Sequence, residues 1–315
     1  MTGAPLPAGA DAVVPLEEIR IQIVGGRESI AFGHPVAPGS STRPRGMDLR
    51  AGDLVLRSGR RLRAPDVGLL ASLGYSTATV HTSPRVALFS SGDELVQPGL
   101  PLGPGQIYDS NAFVLYGLLS AEGADVIRLG TARDDPREVE TLLDRALDQQ
   151  VDLIITSGGV SVGAYDFVRG VIEKQGALDF WRVNMRPGKP LAFGTYKGIP
   201  LLGLPGNPVS AYVGCAVFGL PVVRKLSGLP PNERRLLHVT MTDAVESDGR
   251  ESYLRVLVER TENELVARFP THQGSGNLAS LSRSNALLIL PIGVKSLPAG
   301  SQAVAWVPAM EAGDL

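Results

Sequence analysis

The sequence predicts a multidomain α/β protein: a central parallel or mixed sheet with helices on both faces, flanked by small β-rich modules and a C-terminal β-barrel. Three observations carry that expectation. From Arg85 to about Gly228, short apolar runs alternate with helical segments, as strands of a parallel sheet alternate with the helices that cover it. One of the runs, Val151–Ile155, ends in a glycine loop that leads into a helix, the arrangement of a phosphate-binding turn. On either side of this stretch the helical period fades, and strand-like segments are punctuated by Gly and Pro.

Composition narrows the function classes. A chain of 315 residues suggests two to three domains, and 43% hydrophobic with 20% charged residues suits a globular protein with real cores. A formal net charge of -2 leaves no global basic field for nucleic acid or an anionic membrane, so any anion must be gripped locally. The single cysteine, Cys215, rules out an internal disulfide and sits at core-like helical spacing within Val209–Val223. His34, His81, His238 and His272 lack ligand spacing, which argues against zinc. The N-terminus has no basic-then-apolar pattern of a signal peptide. The most apolar run, Val209–Val223, is shorter than the ~20 residues of a membrane span. The expectation is a cytoplasmic protein with no membrane and no nucleic-acid partner.

Taken in order, residues 1–45 read as a β-rich module and residues 46–84 as a second small module. Strand-like content falls at Ala12–Val14, Ile19–Val24 and Asp53–Arg57, with a long connection over Pro35–Pro44. Pro65 opens a helix that Gly74 ends. The α/β domain spans 85–228. Its strands are expected at Arg85–Phe89, Asp125–Leu129, Val151–Ile155 and Ile199–Leu204. Helices are expected at Asn111–Glu122, from Asp135, at Asp166–Lys174 and from Asn207. Asp135, Pro136 and Glu138 read as cap, first helical residue and capping-box partner. Beyond Leu229-Pro230-Pro231, residues 229–315 read as a small barrel or sandwich, with strands at His238–Thr242, Tyr253–Arg260, Glu264–Phe269 and Ala286–Leu290.

The chemistry gathers at strand ends. In Thr156–Asp166 the glycines Gly158 and Gly159 let backbone N–H groups approach an anion, and Ser157 and Ser161 can donate to phosphate oxygens. Asp166 reads either as a helix cap or as a ligand for a metal ion or a polar ring. Asp93-Glu94, Asp109 and Asp134-Asp135 fall just beyond other strand ends; several carboxylates at one rim with a phosphate loop suit Mg²⁺. In Arg186-Pro187-Gly188-Lys189-Pro190 a rigid turn holds two cations so that both can meet one anion. Pro205-Gly206-Asn207-Pro208 joins a strand to a capped helix through a shaped backbone.

Eight ordered motifs then carry a resemblance: TGAPLPAGADAVV (Thr2–Val14), RGMDL (Arg45–Leu49), ALFSSGDEL (Ala87–Leu95), GQIYDSN (Gly105–Asn111), RDDP (Arg133–Pro136), TSGGVSVGAYD (Thr156–Asp166), RPGKP (Arg186–Pro190) and GLPGNPVSA (Gly203–Ala211). Together they resemble the molybdopterin molybdenumtransferases, the MoeA family, related to the E domain of gephyrin. The resemblance implies the molybdopterin-binding fold. It also implies a reaction in which adenylated molybdopterin and molybdate give molybdenum cofactor and AMP, with Mg²⁺ or a similar divalent ion. It places Thr2, Asp93, Glu94, Asp134 and Asp166 at the catalytic centre, with Glu94, Asp134 and Asp166 as metal ligands. Ser157, Gly158, Gly159 and Ser161, with Pro205, Gly206, Asn207 and Pro208, would hold the pterin substrate. Arg186, Lys189, Arg255 and Ser275 would bind molybdate. A homodimer, and a molybdopterin adenylyltransferase as pathway partner, are implied as well.

Two departures from the family pattern stand out. Relatives carry several dozen residues ahead of the TGAP motif, including a catalytic aspartate motif; residues 1–45 and 46–84 are therefore expected to be incomplete forms of domains II and I. Arg186 stands where many relatives have lysine, which keeps charge and changes geometry. Two further readings remain open at this point: pterin adenylylation, which would consume ATP, and a binding-only scaffold for molybdopterin.

Overall fold

The computed structural model describes residues 3–160, 167–231 and 234–308. Thr2, Ser161 and Asp166, all expected site residues, lie outside the described residues. The chain divides into two compact units, Met1–Ser58 and Gly59–Leu315.

In the first unit, β1 (Ile19–Val24) and β2 (Arg27–Phe32) pair antiparallel across Gly25-Gly26. Both glycines sit at positive φ, 62° and 80°, as a two-residue hairpin turn of matching twist requires. Ala12–Val14 and Asp53–Arg57 form no strands, against expectation. Val13 N–H reaches Ser40 O at 2.9 Å, but Pro15 has no N–H with which to continue a ladder. Strand-like composition makes a strand only where a partner edge exists.

The second unit begins with α1 (Ala64–Ser72), whose buried Asp66 is held by Arg60 and Arg63. A six-stranded sheet follows. Its members are β3 (Arg85–Ser91), β4 (Asp125–Ala132), β5 (Leu153–Ser157), β6 (Gly176–Arg182), β7 (Pro190–Tyr196) and β8 (Ile199–Leu204), in the order β4-β3-β5-β8-β7-β6. The first four run parallel, while β7 and β6 are antiparallel additions. Helices cover both faces, as expected. α2 (Asn111–Ala121) and the long helix after β8 pack on one face with Val86, Leu88, Leu153 and Ile155. α3 (Pro136–Asp148) and α4 (Phe167–Gln175) pack on the other with Ala87, Phe89 and Ile154. The strand residues thus alternate between two apolar cores, the pattern of a sheet buried on both sides.

Asp135 caps α3 by accepting from Arg137 N–H at 2.8 Å, but the expected capping box does not close. Glu138 turns further back and accepts from Arg133 N–H at 2.8 Å. Asn207 occupies the N-cap position, yet its side chain makes no capping bond. β6 and β7 were not anticipated, because Asp179, Pro187, Gly188 and Pro190 break up the alternation. Their glycines explain the pairing: a Cβ on Gly176 would stand 1.9 Å from Thr195 O, and one on Gly194 2.1 Å from Ala177 O. Only glycine permits these backbones to close.

The helix after β8 runs unbroken over Pro208–Leu226, 19 residues, as α5 (Pro208–Gly214), a π-turn (Cys215–Gly219) and α6 (Leu220–Leu226). Pro221 has no N–H for the ordinary i−4 bond, and a widened turn absorbs the defect. By length and composition this helix could cross a membrane, so it is longer than the apolar run suggested. Its residues Val209, Val213, Cys215 and Ala216 lie instead within the α/β core.

The C-terminal strands are β9 (Arg235–Met241), β10 (Glu251–Arg260), β11 (Leu265–Arg268), β12 (Ala286–Leu290) and β13 (Gln302–Val307). They pair in the ring β11-β9-β13-β12-β10-β11, a closed five-stranded barrel. On β10, Leu254, Val256 and Val258 point into the barrel. The intervening Tyr253 packs outward, with Leu287 and Trp306, against the α/β core. Burial raises the Cys215 thiol to about 12. Cys215 is therefore expected to be inert to a thiol reagent in the native protein at pH 8 and to react fully in denaturant, as thiol titration under both conditions would show.

Candidate active site

The glycine loop leaves β5 beside the ends of β3 and β8. Gly158 lies at φ 91° and its N–H donates to Leu204 O at 2.9 Å. A Cβ there would stand 2.3 Å from Ser91 O, so the loop fits only with glycine. Gly159, at φ 67°, leaves room in the same way for Val168 on α4.

Ser157, expected to donate to a ligand, is only 2% exposed. Its Oγ accepts from Asn111 Nδ2 at 2.8 Å and donates to Pro205 O at 3.4 Å. Asn111 Nδ2 also donates to Gly206 O at 2.7 Å. The hydroxyl thus ties the Pro205–Pro208 loop to the glycine loop through Asn111. Asn111, inside a motif of the sequence but not singled out there, is the residue that joins three segments. Its Oδ1 is buried without a partner, as is Oδ2 of Asp109, which stands 1% exposed.

On the opposite face, Ser91 Oγ donates to Asp134 Oδ1 at 3.3 Å, and Asp134 N–H donates to Asp93 Oδ1 at 3.1 Å. Glu94 folds back over Gly92. Burial first, and then the negative charge of Asp93 and of Glu94, push the Asp134 carboxyl above its ordinary range. Among the described residues no three side chains stand grouped to hold a metal ion. The surplus of hard anionic oxygens around Asp134 nevertheless has the chemistry that suits a divalent cation.

The cations assemble elsewhere. Arg255 is 1% exposed; Nε donates to Ser280 Oγ at 2.9 Å and Nη2 to Gly274 O at 3.0 Å. Burial, and then the like charge of Arg186, lower it to about 10. The next residue, Ser275, accepts from Val209 N–H in the first turn of α5 at 3.0 Å. Met185–Arg186 joins the barrel sheet, parallel to Glu251-Ser252 of β10. Arg250 secures that junction, donating to Met185 O at 2.9 Å and pairing with Asp248, which the Arg250 hydrogen bond holds at about 2. The structure thus brings Arg186, Arg255 and Ser275 to the seam between barrel and α/β sheet. Lys189 is exposed on the same turn, its carbonyl accepting from Val183 N–H at 3.1 Å.

Three family models match the chain in order: the MoeA N-terminal region (domain I and II) over residues 1–74, a probable molybdopterin binding domain over 87–225, and the MoeA C-terminal region (domain IV) over 238–307. A molybdopterin molybdenumtransferase 2 from Mycobacterium tuberculosis is 38% identical over 97% of this chain and 76% of its own. This chain belongs to the MoeA family. A molybdopterin molybdenumtransferase from Haemophilus influenzae is also 38% identical, over 92% of this chain and 72% of its own. The crystal structure of a MoeA protein from Pyrococcus horikosii superposes with a TM-score of 0.80 at 31% identity, covering 96% of this chain and 73% of that one. The expected fold and family are borne out: this is a transferase of molybdenum cofactor biosynthesis.

Asn111→Ala removes both donors that join the loops and strands Ser157 and Gly206 O. Equilibrium urea unfolding is expected to show a loss of about 1–3 kcal/mol, with a comparable loss absent in Asn111→Gln if the longer amide regains both bonds.

Proposed function

We propose that this MoeA chain inserts molybdate into adenylated molybdopterin, releasing AMP and giving molybdenum cofactor. The observation that carries the reading is Arg255. A guanidinium this deeply buried, depressed by a neighbouring arginine and bonded only to neutral oxygens among the described residues, is a charge awaiting an anion. Arg186, Lys189 and Ser275 complete a donor set for a tetrahedral oxyanion such as molybdate. Their fixed positive field favours the anion without reorganisation.

The pterin phosphate end belongs at the glycine loop. There Gly159 offers its backbone N–H, Gly158 shapes the turn while giving its own N–H to Leu204 O, Ser161 is assigned to the same end by its motif, and Pro205, Gly206, Asn207 and Pro208 form the facing wall. Ser157 acts through Asn111 by holding the two loops together. Glu94, Asp134 and Asp166 are the residues that would hold Mg²⁺, and Asp93 and Thr2 are assigned catalytic roles by their motifs. The ion, when bound, would polarise the phosphate oxygens and offset the carboxylate repulsion. A water oxygen bonds to the pterin phosphorus as the phosphoanhydride P–O bond to AMP breaks; AMP leaves with the bridging oxygen, the water protons pass to solvent, and no bond to the enzyme forms. We further assign this activity to a cytoplasmic homodimer that receives its substrate from a molybdopterin adenylyltransferase.

The deciding assay incubates the chain with adenylated molybdopterin and Mg²⁺ and measures AMP with and without molybdate. Molybdate-dependent AMP is expected. Bound substrate without AMP release would point to a scaffold, and ATP consumption to an adenylyltransferase. A second test uses the raised Asp134 carboxyl. A carboxyl whose folded value is raised contributes stability below its unfolded value and loses that contribution as pH climbs through the folded one. Asp134→Asn is therefore expected to raise Tm at pH 7 by about 1–2 °C, with the gain fading toward pH 4. AMP release should meanwhile fall on the order of 100-fold, the weight of a few kcal/mol in a barrier.

A further inference from the structure

Trp181 carries two guanidinium groups. Arg169, in the first turn of α4, lies 3.7 Å from the indole centroid, and Arg182 lies 4.0 Å from it. The indole is half-buried and its Nε1–H donates to Val160 O at 3.4 Å, which fixes the ring against the end of the glycine loop. The strand is shaped to present it there. Phe193 pairs with Phe180 while Gly194 pairs with Leu178, so Asp179 is an extra residue in β6. The resulting bulge turns Phe180 toward Phe193 and Phe218 and sends Trp181 to the side of α4. Bulges commonly re-aim a side chain in this way beside a working site.

The two arginines differ. Arg169 has a carboxylate, Glu173, at 2.7 Å. Arg182 is exposed, and among the described residues its guanidinium has no hydrogen bond or ion pair; it lies over the indole. In the sheet it lies opposite Pro190, and the next residue, Val183, donates to Lys189 O at 3.1 Å. Arg182 therefore stands between the glycine loop, reached through Trp181, and the Arg186–Lys189 turn. Two cations sharing one ring repel each other, and an anion bound at Arg182 relieves that repulsion.

We propose that Arg182, mounted on the Trp181 indole, holds the phosphate of the adenylate leaving group. The assignment rests on the molybdate-insertion reading, in which the substrate carries an adenylate whose phosphate becomes a free anionic end. A stacked guanidinium keeps its N–H edge available for bidentate contact with phosphate oxygens. Arg182 thereby gives the leaving phosphate a cation of its own, apart from the Arg186 and Lys189 pair assigned to molybdate.

The test uses intrinsic fluorescence, because the protein has two tryptophans and Trp306 is only 7% exposed, leaving Trp181 as the responsive one. AMP titrated into the full chain is expected to change emission saturably, and adenosine, which lacks the phosphate, to bind at least ~10-fold more weakly. Arg182→Ala should raise the AMP Kd by ~10-fold or more with molybdate binding and Tm unchanged, and Arg182→Lys should recover part of the loss. Trp181→Phe should abolish the signal and keep AMP binding measurable by calorimetry. Parental AMP affinity in Arg182→Ala, equal binding of adenosine, or no AMP binding by the parent would each overturn the proposal. Its failure is separable from that of the reaction. A parent that releases AMP in a molybdate-dependent way but shows no Arg182 dependence keeps the reaction and loses this subsite. Arg182-dependent AMP binding without any AMP release does the reverse.

Discussion

The meeting of Gly158 with the backbones of β3 and β8 is the constraint from which the rest of the site follows. Ser91 O leaves no space for a Cβ, and Leu204 O takes the Gly158 N–H. Three adjacent strands thus finish at one point, and everything that follows each strand is displayed around it. The acidic turn follows β3, the glycine loop follows β5, and the Pro205–Pro208 loop follows β8. Asn111 reinforces the arrangement from α2. Ligand groups in open α/β sheets belong at the carboxyl ends of the strands, and here a steric fit between backbones sets their spacing.

Electrostatics divides the site in two. Carboxylates crowd at Asp134 on the α3 face, and cations gather at the barrel seam. The period-2 geometry of β10 makes the second half possible. Leu254 and Val256 fill the barrel, so Arg255 between them must leave it on the outer face, where Ser280 and Gly274 receive it.

Much of this was legible in the sequence. The strand and helix rhythm from Arg85, the turn at Gly158-Gly159 and the ordered motifs identify the fold and the family, because each rests on local chemistry. Tertiary features were less visible. Nothing in the run around Ala12–Val14 shows that no partner edge is available. β6 and β7 hide among prolines and glycines whose use is close backbone approach. The hydroxyl of Ser157 reads as a ligand donor until Asn111, 46 residues away in sequence, is seen to occupy it. Arg182 carries no motif of its own; its position depends on two register shifts, one on each side of Phe193, that only the pairing of β6 with β7 reveals.

One short segment belongs to two sheets. Met185–Arg186 is hydrogen-bonded into the barrel, and Pro190 begins a strand of the α/β sheet. The residues between them form a stiff hinge with few rotatable bonds. Arg186 is therefore anchored to the barrel while Lys189 directly precedes the α/β strand, so the docking of barrel on sheet sets the span between the two charges. The cation pair acts as a caliper whose jaws are fixed to different parts of the molecule.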